Sequence, residues 1–130
     1  MIALDTTAII DIFKGDEDIK KLLLKLKEEL ITTLINYQEI MFGLDLANSR
    51  YQEEEVYYDE FFQDTNILVH NLESAKKGAE IYWQLKHGGK TIERFDCMIA
   101  GILLTHGVYR IITRNIKHFE NIKELEIISY

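Results

Sequence analysis

The chain has 130 residues, 47% hydrophobic and 28% charged, with a net charge of −7 and one cysteine. Such a composition belongs to a globular domain that buries about two-thirds of its unfolded surface, and it excludes a disordered or low-complexity chain. A lone cysteine excludes an internal disulfide, and the acidic balance argues against the broad basic face of a general nucleic-acid binder.

With no internal repeat and no Pro-rich linker, residues 1–130 read as one domain. The longest apolar run, 98–104, is too short to cross a membrane. No basic stretch precedes a long apolar one near the start, so no export signal is expected. The unpaired Cys97 fits a reducing compartment, and the expected location is the cytoplasm.

In chain order, residues 2–4 (Ile-Ala-Leu) read as a short buried parallel strand that hands Asp5 to a helix beginning near Thr6. Gly15-Asp16 stops that helix and offers a cap for the next, whose stripe is Ile19, Leu22, Leu23, Leu26 and Leu30. The β-branched run 30–34 predicts a second strand. Helices follow over 36–48 and 50–63, the second with Tyr51, Tyr58 and Phe62 opposite Glu53-Glu54-Glu55, a solvated face. Residues 66–69 predict a third strand. A long helix from Leu72 through Trp83 and Lys86 is then stopped by Gly88-Gly89. Asp96, Ile99, Ala100, Leu103 and Leu104 form the next helical stripe, and 110–113 and 126–128 predict the last two strands. Strands alternating with helices predict a three-layer α/β/α fold on a parallel sheet of about five strands.

Three carboxylates take meaningful places in this scheme. Asp5 ends the first strand, Glu39 lies in the first turn of the helix after the second, and Asp96 opens the helix before the fourth. Ligands bind at the C-terminal edge of open α/β sheets, so Asp5 and Glu39 are placed to share a crevice there. A plain helix cap remains open for Asp5. Asp96 shares the stripe of Ile99 and Leu103 and therefore points inward; Glu39 shares a face with Gly43. Inward carboxylates that converge require a cation or a proton between them, and hard oxygen ligands suit magnesium or manganese. His70, His87, His106 and His118 form no His-x-His or His-x-x-x-His pair, which argues against zinc.

Four pieces of the chain, in order, resemble the PIN domain family and within it the VapC-type toxin ribonucleases. They are Leu4-Asp5-Thr6-Thr7 with Ile9-Ile10-Asp11, Thr32-Thr33 with Glu39 and Gly43, Asp96-Cys97-Met98-Ile99-Ala100, and the string from Thr113 to Phe119. The resemblance implies an Mg2+- or Mn2+-dependent endoribonuclease that hydrolyses RNA, with tRNA and rRNA as candidate targets. It implies that Asp5 and Asp96 are direct metal ligands, that Glu39 completes the site or activates water, and that the Thr113 hydroxyl holds a carboxylate or water. Asn115 stands where many PIN domains carry a fourth acid, which implies weaker occupancy of a second metal site; Glu93 and Asp11 are the stand-ins. Arg114 and Thr6 are the residues expected to meet substrate. The expected partners are a homodimer mate and an antitoxin laid over a groove of the early helices, to which the leucines of 19–30 and the aromatic helix at 51–62 supply apolar surface.

Other strand-Asp enzymes fit less well. A haloacid-dehalogenase phosphatase needs an acid at position 7, where this chain has Thr7, and a response-regulator receiver needs one after the third strand, where Val69-His70-Asn71 has none. The alternative of another class is a PIN-fold scaffold that has lost turnover, motivated by Asn115 and the acidic charge.

Overall fold

Five short strands carry the aliphatic runs: β1 (Ile2–Leu4), β2 (Leu30–Thr33), β3 (Asn66–Leu68), β4 (Arg110–Ile112) and β5 (Glu126–Ile128). In this computed structural model, which describes all 130 residues, they form one parallel sheet in the order β3-β2-β1-β4-β5. Its register pairs Ala3 with Ile31 on one side and with Ile111 on the other. The chain builds outward from β1 in one direction and then restarts with β4 on its other side. The crevice between β1 and β4 is thus the point where the winding reverses.

Alternate strand residues face opposite layers. Ile2, Leu4 and Ile112 pack against α1 (Thr6–Phe13), α2 (Glu17–Lys25), α3 (Leu34–Phe42) and α4 (Gln52–Gln63), through Ile9, Ile19, Ile40, Tyr58 and Phe62. Ala3, Ile31 and Ile111 face the other way, against α5 (Leu72–His87) and α6 (Arg94–Thr105), through Ile81, Ile99 and Leu103. Burying such an aliphatic side chain contributes roughly 1.5–3 kcal/mol, so both faces of the sheet are held by their helices.

α5 and α6 pack unusually close. A Cβ at Gly101 would lie 2.6 Å from the Ser74 carbonyl oxygen and 2.7 Å from the Gly78 nitrogen. Only a residue without a side chain lets the two backbones meet there.

Several boundaries differ from the sequence expectation. The stripe ending at Leu30 stops at Lys25: Leu26 is already extended, and Leu30 begins β2. α3 starts at Leu34 rather than at 36, because Thr33 caps it in a box closed by Asn36. It ends at Phe42, with Gly43 as its C-cap, and turns held by the Asp45 and Asn48 side chains replace the expected last stretch. Glu39 therefore lies in the second turn. α6 begins two residues before Asp96. A four-residue helix, α7 (Ile116–Phe119), was not expected at all.

Candidate active site

Asp5 follows β1 directly and occupies the N-cap position of α1, yet its side chain makes no capping hydrogen bond. Its carboxylate accepts instead from the Thr113 hydroxyl at 2.7 Å and from the Asn36 side-chain amide at 3.2 Å. Thr113 follows β4 and Thr33 ends β2, so three adjacent strand ends and the first turn of α3 converge on one carboxylate. Asn36 is fully buried. Its amide nitrogen also donates to Thr6 at 3.1 Å, while its oxygen accepts from the Thr33 hydroxyl at 2.7 Å.

The other acids close the floor of a cleft of about 640 Å³ at this sheet edge. Glu39 projects from α3 and accepts from the Thr6 hydroxyl at 2.9 Å. Asp96, the third residue of α6, is 5% exposed, and its Oδ2 lies 3.0 Å from Nδ1 of His118 on α7. Asn115 lines the cleft as well, with its main-chain N–H donating to Thr113 Oγ1 at 3.0 Å. The structure thus brings together Asp5, Thr6, Glu39, Asp96, Thr113 and Asn115.

Arg114 lies apart. Its Nε is 3.1 Å from Asp11 and its Nη2 3.0 Å from Asp16, its guanidinium sits over the Tyr130 ring, and it does not line the cleft. Asp11 is likewise engaged there, accepting from the Tyr130 hydroxyl, whereas Glu93 does line the cleft.

Electrostatics follow from the packing. Burial pushes the Asp96 carboxyl up to about 7, opposed by His118 and reinforced by the charges of Asp5 and Glu39. Burial likewise raises Asp5, against the pull of its Thr113 hydrogen bond. Glu39 is raised by burial and by the charge of Asp5, with the Thr6 hydrogen bond opposing. Three acids that feel one another and hold protons too tightly lack positive charge. The three carboxylates line one cleft without being drawn into a ready-made ligand cluster, but their donor set, all hard oxygens with uncompensated charge, fits a divalent cation.

A family model for the PIN domain matches residues 2–125. The chain belongs to the PIN domain family. PIN domains form a nuclease family, and a cleft of acids at the sheet's winding reversal is where this PIN domain would carry such chemistry. Among solved structures, the chain is similar to VapBC2 from Rickettsia felis bound to a DNA fragment from their promoter (TM-score 0.86, 21% identity, covering 100% of this chain and 99% of that one). VapBC-1 from nontypeable Haemophilus influenzae gives a TM-score of 0.83 at 26% identity, over 99% and 98% of the two chains. FitAcB from Neisseria gonorrhoeae gives 0.80 at 24% identity, over 98% and 96%. No curated protein matches.

Sequence reasoning missed two residues of the site. Asn36 was signalled by Thr33-x-x-Asn36, a capping box with Asn in place of the usual Glu or Gln. His118 was discounted because it has no histidine neighbour; its partner is a carboxylate 22 positions upstream that only the fold brings near.

Proposed function

We propose that this PIN domain is an Mg2+- or Mn2+-dependent endoribonuclease, the toxin of a VapBC-type pair. The observation that carries the reading is the burial of Asp5 and Asp96 beside Glu39 in one cleft, with no lysine or arginine paired to any of the three. Asp5, Glu39 and Asp96 would hold the divalent ion. When bound, such an ion neutralises charge at the scissile phosphate and lowers the pKa of water.

The chain's own groups do the rest. Thr113 and Asn36 fix the Asp5 carboxylate from two sides, so that it is oriented before any ligand arrives. Thr6 does the same for Glu39 through its hydroxyl. Glu39 is the most accessible of the three acids, placed either to complete the ion's ligand set or to take a proton from attacking water. Asn115 contributes a neutral amide where a fourth acid would add charge, which weakens the case for a second ion.

The partners are proposed on the solved neighbours, which are toxin–antitoxin assemblies by their descriptions. An antitoxin laid over a groove of the early helices and a homodimer of this chain are the partners, in the cytoplasm, and no helix is long and apolar enough to cross a membrane. The test is cleavage of total RNA in magnesium or manganese by the wild type and by Asp5→Asn. Cleavage that Asp5→Asn abolishes with the fold retained supports the enzyme. A folded wild type that cuts no RNA with any divalent metal sinks it and leaves the scaffold reading, which Asn115 and the absence of a preformed ligand cluster favour.

A further inference from the structure

The cleft has a cationic side. Its carboxylates are Asp5, Glu39, Glu93 and Asp96, and its fixed cations are Lys86, Lys90 and Arg94. All three cations come from one wall: the end of α5, the turn after it, and the first residue of α6. Glu93, between Lys90 and Arg94 in sequence, forms no ion pair with any of them, and neither does another acid. Lys86 Nζ lies over the rings of Trp83 at 5.0 Å and Tyr82 at 5.7 Å, Arg94 lies over Tyr82 at 5.8 Å, and Lys90 bonds the neutral side-chain oxygen of Asn121 at 2.9 Å. Aromatic faces hold a cation in place without cancelling its charge, so these groups stay available to an anion. Arg114, by contrast, is already spent on Asp11 and Asp16.

A second surface adjoins the acids. Phe95 precedes Asp96, lines the cleft and is 37% exposed; Phe42, at the end of α3, is 70% exposed. Their rings are parallel within 5°, with centroids 6.2 Å apart. An unstacked base has a face to lay on such a shelf, whereas a duplex keeps its bases stacked on each other.

We propose that RNA enters as a single strand, its phosphates running along Lys86, Lys90 and Arg94 and one base lying on the Phe95 ring. This rests on the nuclease reading above and adds the strand's path to it. The wall offsets the repulsion between a phosphodiester and a floor of four acids, and it sets the side from which the strand crosses them.

The experiment measures binding of a fluorescein-labelled, mixed-sequence single-stranded RNA to the full chain carrying Asp5→Asn, in magnesium buffer from about 50 to about 200 mM salt. Lys86→Ala, Lys90→Ala and Arg94→Ala are each expected to weaken binding several-fold and to flatten the slope of log K against log salt by about 0.7. Lys25→Ala, the same charge change at the far end of α2, should alter neither. Phe95→Leu should weaken single-strand binding about fivefold or more and leave a duplex of the same sequence unaffected. In the chain with Asp5 intact, the wall variants should raise KM and keep kcat. If the wall variants bind like their parent, or Lys25→Ala loses as much as they do, the proposed path is wrong even where RNA is still cut. If the parent neither binds nor cuts RNA, the nuclease reading itself fails.

Discussion

Two acidic regions of this molecule differ in how their charge is met. Around Arg114, Asp11 and Asp16 are paired with the guanidinium at 3.0–3.1 Å, and Tyr130 closes the group. In the cleft, Asp5, Glu39 and Asp96 have only hydroxyl, amide and imidazole neighbours, and all three hold protons more tightly than usual. In the first region each carboxylate already has a guanidinium nitrogen within ion-pair distance. In the second, no lysine or arginine is paired with any of the three acids, and that difference is what the proposed metal site rests on.

The largest effect expected from this contrast is on activity. Asp96→Asn should lower kcat/KM on RNA by about a thousandfold or more, on the order of 4 kcal/mol of transition-state stabilisation. The same substitution should raise the unfolding midpoint of the metal-free chain in EDTA, because it removes a buried carboxylate whose charge only His118 offsets. A variant that loses both activity and stability would show that Asp96 is structural.

Metal is the next lever. Manganese at about a hundred times its Kd should stabilise the wild type by about 2.7 kcal/mol, read as a rise in melting temperature. Asp96→Asn should lose most of that rise, and Arg114→Ala should keep it. Equal stabilisation of all three would mean that the ion binds elsewhere.

Acidity provides a finer comparison. The Asp96 carboxyl titrates near 3.8 when unfolded and near 7 when folded. Between those values the folded chain keeps a proton that the unfolded chain has released, so this contribution to stability is complete below about pH 4 and is lost as pH rises toward 7. Asp5 and Glu39 shift in the same direction. Urea midpoints of the metal-free chain should therefore fall more steeply over this range for the wild type than for Asp96→Asn, by on the order of 1–2 kcal/mol. The smallest effect belongs to Arg114→Ala: a slight loss of stability, smaller still in high salt, with cleavage retained. A large rise in KM there would return Arg114 to the substrate path.

The positions of the strands along the chain and of Asp5 at a strand end were legible because short aliphatic runs each stop at a polar residue. Ile2-Ala3-Leu4 before Asp5 and Ile111-Ile112 before Thr113 mark strand ends, and the parallel sheet aligns those ends at one edge. Helix boundaries were less legible where a side chain decides them. Thr33 reads as a strand residue and acts as one, yet its hydroxyl also starts α3, so the helix begins earlier than its apolar stripe suggests. His118 was illegible for another reason: a histidine acquires meaning from its partner, and Asp96 reaches it only through the packing of α6 against α7. The cationic wall was hidden similarly, since Lys86, Lys90 and Arg94 look like ordinary solvated charges until the turn between α5 and α6 folds them over the acids.

The glycine contact between α5 and α6 has a mechanical consequence. With the Gly101 backbone seated against Ser74 and Gly78, the two helices meet backbone to backbone, and the hairpin they form is a tightly packed slab. Asp96 and Arg94 ride on that slab together with Lys86. A methyl group wedged in at position 101 would tilt the slab, and the gap between the cleft's acids and its cationic wall would open even though no residue lining the cleft had changed.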